Sequence, residues 1–209
     1  PFADLDLLAE DVNGFKILEY YLGNAVWGIS ANNSSAAPFE MKRSTTSVSS
    51  RGCPYGCKYC YRGTQGERKW GVRSARHIFN QITHYKEKYG IDFHGFPDDN
   101  FAVTFGRITD LVPLLGPLKI PWGTHTRLDE AAGLKPKPGY PGEYVFEDPL
   151  RIKLMAQAGC IYIGFGPESA NAKVLEALGK GGFTLSNGFE STRVNGKTYQ
   201  FPRSMKEGI

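Results

Sequence analysis

Ser50-Arg51-Gly52-Cys53-Pro54-Tyr55-Gly56-Cys57-Lys58-Tyr59-Cys60-Tyr61 sets three cysteines in a C-x3-C-x2-C pattern. A Gly- and Pro-containing loop of this length can turn three thiolates towards one metal centre. Structural zinc sites take four protein ligands in a closed tetrahedron, and most [4Fe–4S] clusters are likewise held by four cysteines. A cluster held by only three keeps one iron available to a small molecule. A zinc knuckle would need a fourth ligand, and His77 and His84 lie on a segment with helical spacing some distance on. From spacing alone, a zinc- or cluster-holding module with no reaction of its own stays open.

Outward from this loop, β-prone runs and helical patterns alternate. Thr45 to Ser50 leads into the cysteines as a short strand. Ser74 can cap a helix whose Ile78, Ile82, Tyr85 and Tyr89 follow helical spacing, with Gly90 as its stop. Ile91 to Phe96 reads as a second strand, followed by Pro97-Asp98-Asp99-Asn100, and Ile108 to Leu115 as a weak helix. Pro121 to Thr126 is a third strand, ending at Arg127-Leu128-Asp129. Asp148-Pro149 signals a helix start, with Pro at the first helical position. That helix carries Leu150, Leu154, Met155 and Ala158 and stops at Gly159. Ile161 to Phe165 is a fourth strand before Gly166-Pro167-Glu168-Ser169, and a fourth helix with Val174, Leu175 and Leu178 breaks at Gly179. Asn195-Gly196 marks a small hairpin, and Arg203 to Ile209 a further helix.

This alternation predicts an α/β fold with a parallel sheet wrapped by helices. Its polar motifs all fall at C-terminal strand ends, the face where barrels of this class gather their active sites. Residues 1–43 have too few periodic apolar positions for a core of their own and read as a linker or extension; residues 44–209 form the core domain.

The tripod, with Tyr59 before its last cysteine and Ser-Arg-Gly-Cys-Pro-Tyr before its first, resembles the radical S-adenosylmethionine (radical SAM) superfamily. Within it the chain is most similar to the cobalamin-associated branch, over roughly Ser44 to Ile209. The resemblance implies a partial (β/α)6 barrel, here cut after about four β/α units. It also implies a [4Fe–4S] cluster on Cys53, Cys57 and Cys60, with S-adenosylmethionine (SAM) chelated to the free iron. Reductive cleavage of SAM would give a 5′-deoxyadenosyl radical, used for cobalamin-dependent methylation or another C–H functionalisation. A methylthiotransferase-like enzyme is the alternative within the superfamily, although this chain offers no second cysteine triad.

By the same resemblance, Asp98, Asp99 and Asn100 receive the SAM amino group. Glu168, followed by Ser169, accepts from the ribose hydroxyls, Arg127 faces the SAM carboxylate, and Tyr59 packs beside cluster and adenine. His125 is better read as a structural histidine than as a substrate contact. The resemblance further implies a small-molecule substrate and an electron donor such as flavodoxin or ferredoxin. No Asp-x-His-x-x-Gly motif is present, so cobalamin is an expectation for a longer parent, which would also supply the remaining barrel strands.

Bulk properties agree with this reading. The 209 residues suit one domain. Net charge is +4 with no basic run, so nucleic acid is not called for, and no apolar stretch approaches the ~20 residues of a membrane span. Four cysteines with three in a tripod do not read as a disulfide framework, and thiolates kept for a metal imply a reducing compartment, the cytoplasm. Cys160, before an apolar run, is expected to be a small buried hydrophobe.

Overall fold

The computed structural model describes residues 17–23, 41–61, 69–136, 138–139, 144–147, 149–180, 189–194 and 197–202. Helix α1 (Ile17–Gly23) sends Leu18 and Leu22 into the core. Its Tyr21 hydroxyl meets that of Thr46 at 3.2 Å, on strand β1 (Ser44–Thr46). The run expected as one strand from Thr45 to Ser50 divides in two. β1 joins the main sheet, whereas β2 (Ser50–Gly52) pairs antiparallel with β3 (Trp70–Val72). The division has a cause: Asp98 accepts from the Ser49 amide and from both the Ser49 and Ser50 hydroxyls, drawing the chain out of the sheet.

Helix α2 (Ala75–Tyr89) forms as its sequence dictates. The Ser74 side chain accepts from the His77 amide, Gly90 closes it at φ 63°, and Ile78, Ile82, Tyr85 and Tyr89 are buried. Strand β4 (Phe93–Phe96) follows, then α3 (Phe105–Leu118), longer than the weak 108–115 helix expected because Thr104 caps it by accepting from Arg107. β5 (Trp122–Thr126) leads into the short α4 (Leu128–Ala132) and a hairpin of β6 (Leu134–Pro136) with β7 (Tyr144–Phe146).

Helix α5 (Arg151–Gln157) starts two residues later than the Pro149 signal predicted, with Leu150 as its extended N-cap. Arg151 fixes that start. Its guanidinium forks onto Glu147 at 2.7 and 2.8 Å and donates to the carbonyls of Ala102 and Val103. Strand β8 (Cys160–Phe165) and helix α6 (Ala172–Leu178) follow, then an antiparallel pair, β9 (Phe189–Val194) and β10 (Lys197–Pro202). That pair is the expected hairpin; the Asn195-Gly196 turn and the helix expected over 203–209 lie outside the described residues, as does most of the 1–43 lead-in.

The main sheet has the order β1-β4-β5-β8, all parallel. It is the α/β arrangement the alternation predicted. One sheet face carries His94, Phe96 and Trp122 against the helices, with Phe96, Phe101 and Trp122 in mutual ring contact at 5.2–5.6 Å. Each large apolar side chain buried here contributes roughly 1.5–3 kcal/mol. No helix among the described residues is long and apolar enough to cross a membrane.

Candidate functional site

The cysteine loop is anchored before, within and after its three thiols. Before Cys53, the buried Asp98 carboxylate accepts from Ser49 and Ser50 and pairs with Arg107 at 3.3 Å, while Asp99 accepts from the Gly52 amide at 3.0 Å. Gly52 sits at φ 93°, and a Cβ there would stand 1.9 Å from the Lys69 carbonyl oxygen, so only glycine fits. Inside the loop the Cys60 amide donates to Cys57 at 3.2 Å, and the Lys58 amide donates to the Gly179 carbonyl just past α6. The Tyr59 hydroxyl donates to Glu168 at 3.2 Å, joining two expected site residues that lie 109 positions apart.

Strand ends β4, β5 and β8 therefore converge on the loop. After β4, the Asn100 amide reaches Cys53 Sγ at 3.9 Å while its oxygen accepts from Thr126. After β5, Arg127 lies 3.9 Å over the Tyr55 ring and is gripped by Asp129 through two 3.0 Å bonds. Burial works against that guanidinium's charge, but the Asp129 carboxylate, with Tyr55 and Glu130 acting the same way, outweighs it and holds the pKa above its ordinary value. After β8, Glu168 adopts φ 61°, a left-handed conformation uncommon outside glycine. Lys180 steadies it, donating to Glu168 at 3.1 Å and to the Gly166 carbonyl.

Electrostatics around the loop are mixed. Burial pushes the Cys53 thiol up, and the Glu130 charge adds to this; a Tyr55 backbone hydrogen bond, Asn100 and Arg127 pull the other way. Burial also raises Tyr59, with Cys57 and Glu168 acting in the same direction. Glu130, in the first turn of α4, is raised to about 7, chiefly by burial and then by Asp129. Tyr55 and Asn100 lie near enough to favour its ionised form, yet neither makes a hydrogen bond of proper geometry to its oxygens.

Among the described residues, no group of three or more His, Cys, Asp or Glu side chains is gathered closely enough to hold a metal ion. The three cysteines share one loop without converging on a point. Their donor chemistry nevertheless suits a soft iron–sulfur centre. None of the four cysteines is in a disulfide, and an amide donor and a guanidinium stand beside Cys53.

Of the residues singled out from sequence, the structure brings Tyr59, Asp99, Asn100, Arg127 and Glu168 to the loop. Asp98 is spent on Ser49, Ser50 and Arg107, with its side chain fully buried. Ser169 serves a turn, its hydroxyl accepting from Asn171. His125 is exposed, and its ring would meet any Cβ placed on Gly164. Cys160, expected to be a buried hydrophobe, is only partly buried; it packs against the core, and burial pushes its thiol up to about 12. Sequence reasoning missed Arg107, Glu130 and Lys180. Lone charges in or just past a helix look solvated, and only the tertiary approach of Ser49, Tyr55 and Glu168 reveals them.

No protein-family profile matches the chain. It is 28% identical over 136 residues to an uncharacterized methyltransferase of Pyrococcus horikoshii, covering 64% of this chain and 26% of that protein. It is 22% identical over 143 residues to bacteriochlorophyllide d C-12(1)-methyltransferase of Chlorobaculum tepidum, covering 67% and 28%. Among solved structures it resembles the radical S-adenosylmethionine methyltransferase TsrM of Kitasatospora setae, determined with cobalamin and a [4Fe-4S] cluster bound. The TM-score there is 0.50 at 16% identity, over 66% of this chain and 24% of that one. Likeness at this level shows the shared fold, a partial α/β arrangement built on a parallel sheet. The chain spans about a quarter of the length of the curated relatives it matches.

Proposed function

We propose that this chain forms the cluster- and SAM-binding part of a radical SAM enzyme that methylates a small molecule. The observation that carries the reading is the convergence of three successive parallel strand ends on the cysteine loop: Asp99 and Asn100, then Arg127, then Glu168. The methyltransferase names of the relatives, and cobalamin in the TsrM structure, support methylation and a cobalamin-using full-length parent.

In this reading Cys53, Cys57 and Cys60 hold a [4Fe–4S] cluster. When bound and reduced by a small electron-transfer protein, it supplies the electron that cleaves the SAM sulfonium. The chain's own residues do the positioning. Asn100 donates towards Cys53 Sγ and favours the thiolate. Glu168, fixed by Tyr59 and Lys180, offers carboxylate oxygens to ribose hydroxyls. Arg127, locked by Asp129 against the Tyr55 ring, keeps a fixed cation beside the loop for the SAM carboxylate.

The test is anaerobic reconstitution with iron and sulfide, followed by EPR of the reduced protein with and without SAM. A cluster signal that SAM alters, with release of 5′-deoxyadenosine, is the expected result. One stoichiometric zinc and no SAM-dependent change would overturn the reading.

A further inference from the structure

Three acids are buried among the described residues, and two of them are paired. Asp98 holds Ser49, Ser50 and Arg107, and Glu147 holds the Arg151 fork. Glu130 is the exception. It is 6% exposed, and neither carboxylate oxygen has a hydrogen-bond partner. Arg127, its neighbour in sequence, has committed two donors to Asp129. An unpaired carboxylate withdrawn from water is costly to fold around. Its position is informative as well: α4, in whose first turn it lies, starts directly after Arg127, which packs 3.9 Å over the Tyr55 ring of the cysteine loop.

A buried carboxylate whose two oxygens lack hydrogen-bond partners fits a cationic N–H donor. SAM carries one such group, its α-ammonium; its sulfonium has no hydrogen to donate, and its carboxylate would be repelled. Of the acids expected for this role, Asp98 is already consumed and Asp99 holds the Gly52 amide. We propose that Glu130 is a binding residue that receives the α-ammonium of SAM at the cysteine loop. This rests on the SAM-binding reading above and names a residue outside the motifs that suggested it.

Glu130→Gln preserves shape and removes the charge. In the reconstituted full chain, iron content should match wild type, while the SAM dissociation constant rises about 10-fold or more, the range of a charge-assisted hydrogen bond. For the SAM analogue with hydrogen in place of the amino group, the two proteins should bind within about 2-fold, since the lost contact is absent from both. A second readout needs no ligand: at pH 8 the variant should unfold at higher urea than wild type, because an unpaired buried charge is gone. Equal SAM affinity at equal iron content overturns the Glu130 assignment alone. A lowered urea midpoint makes Glu130 a structural residue and overturns it too. Wild-type protein that holds no cluster and binds no SAM overturns both this and the proposed function.

Discussion

Asp98→Asn separates two roles for the residue that precedes the site. The Asp98 carboxylate takes the Ser49 amide at 2.7 Å, the Ser50 hydroxyl at 2.6 Å and Arg107 at 3.3 Å, with side-chain exposures of 0% and 5% for the ion pair. Burial dominates at Arg107, lowering its pKa to about 10 despite Asp98. Removing one partner of a buried pair leaves the other uncompensated, which costs about 3–5 kcal/mol. The new amide also points N–H groups at hydroxyl donors. With a urea slope of roughly 2 kcal/mol per molar for a small protein, the midpoint should fall by about 1.5–2.5 M. Arg107→Met added to Asp98→Asn should recover part of the loss, because the two groups share one network. Iron loading should fall with stability, since Asp98 grips the segment that enters Cys53. A midpoint shift below about 0.5 M combined with weakened SAM binding would refute this account and make Asp98 a ligand contact.

Gly52→Ala should impair folding of the loop, at roughly 1–3 kcal/mol for the backbone conformation alone, before the clash with Lys69 is counted; urea unfolding and iron content together read it. His94, buried between Thr45 and Ser47 at 2.8 and 2.9 Å, is held neutral with its pKa pushed down to about 3, chiefly by burial. Between pH 6.5 and about 3 the unfolded chain therefore binds the extra proton. Stability is complete above pH 6.5 and falls by about 1.4 kcal/mol per unit as pH drops through that window. A His94→Gln variant should show a shallower loss between pH 7 and 5, and identical slopes would contradict the assignment. Cys160, with its thiol near 12, should resist iodoacetamide at pH 8 while Cys60 reacts, as mass spectrometry of the apo chain can show.

The parallel sheet was legible because its connecting helices carry their own signals. Ser74, the Ile78–Tyr89 spacing and Gly90 fix α2 without tertiary help. The cysteine loop was legible from its wording, and its partners from their positions at strand ends. Three-residue strands are too short for a period-two pattern, so the β2–β3 and β6–β7 pairs left no trace in the sequence. Pro149 misplaced the start of α5 because the anchor is tertiary, Arg151 reaching Glu147 and two carbonyls in the β4–α3 connection. Glu130 was invisible for a related reason. In a five-residue helix it looks like a solvated charge, and its burial beside Tyr55 and Asn100 is tertiary.

Counting iron tests directly whether Cys53, Cys57 and Cys60 hold one cluster. Iron should be counted after anaerobic reconstitution of wild type and of Cys53→Ala, Cys57→Ala, Cys60→Ala and Cys160→Ala. Wild type and Cys160→Ala should hold about four irons per chain, and the other three should lose most of their iron. Undiminished iron in those three, or equal loss in Cys160→Ala, would contradict that ligand set.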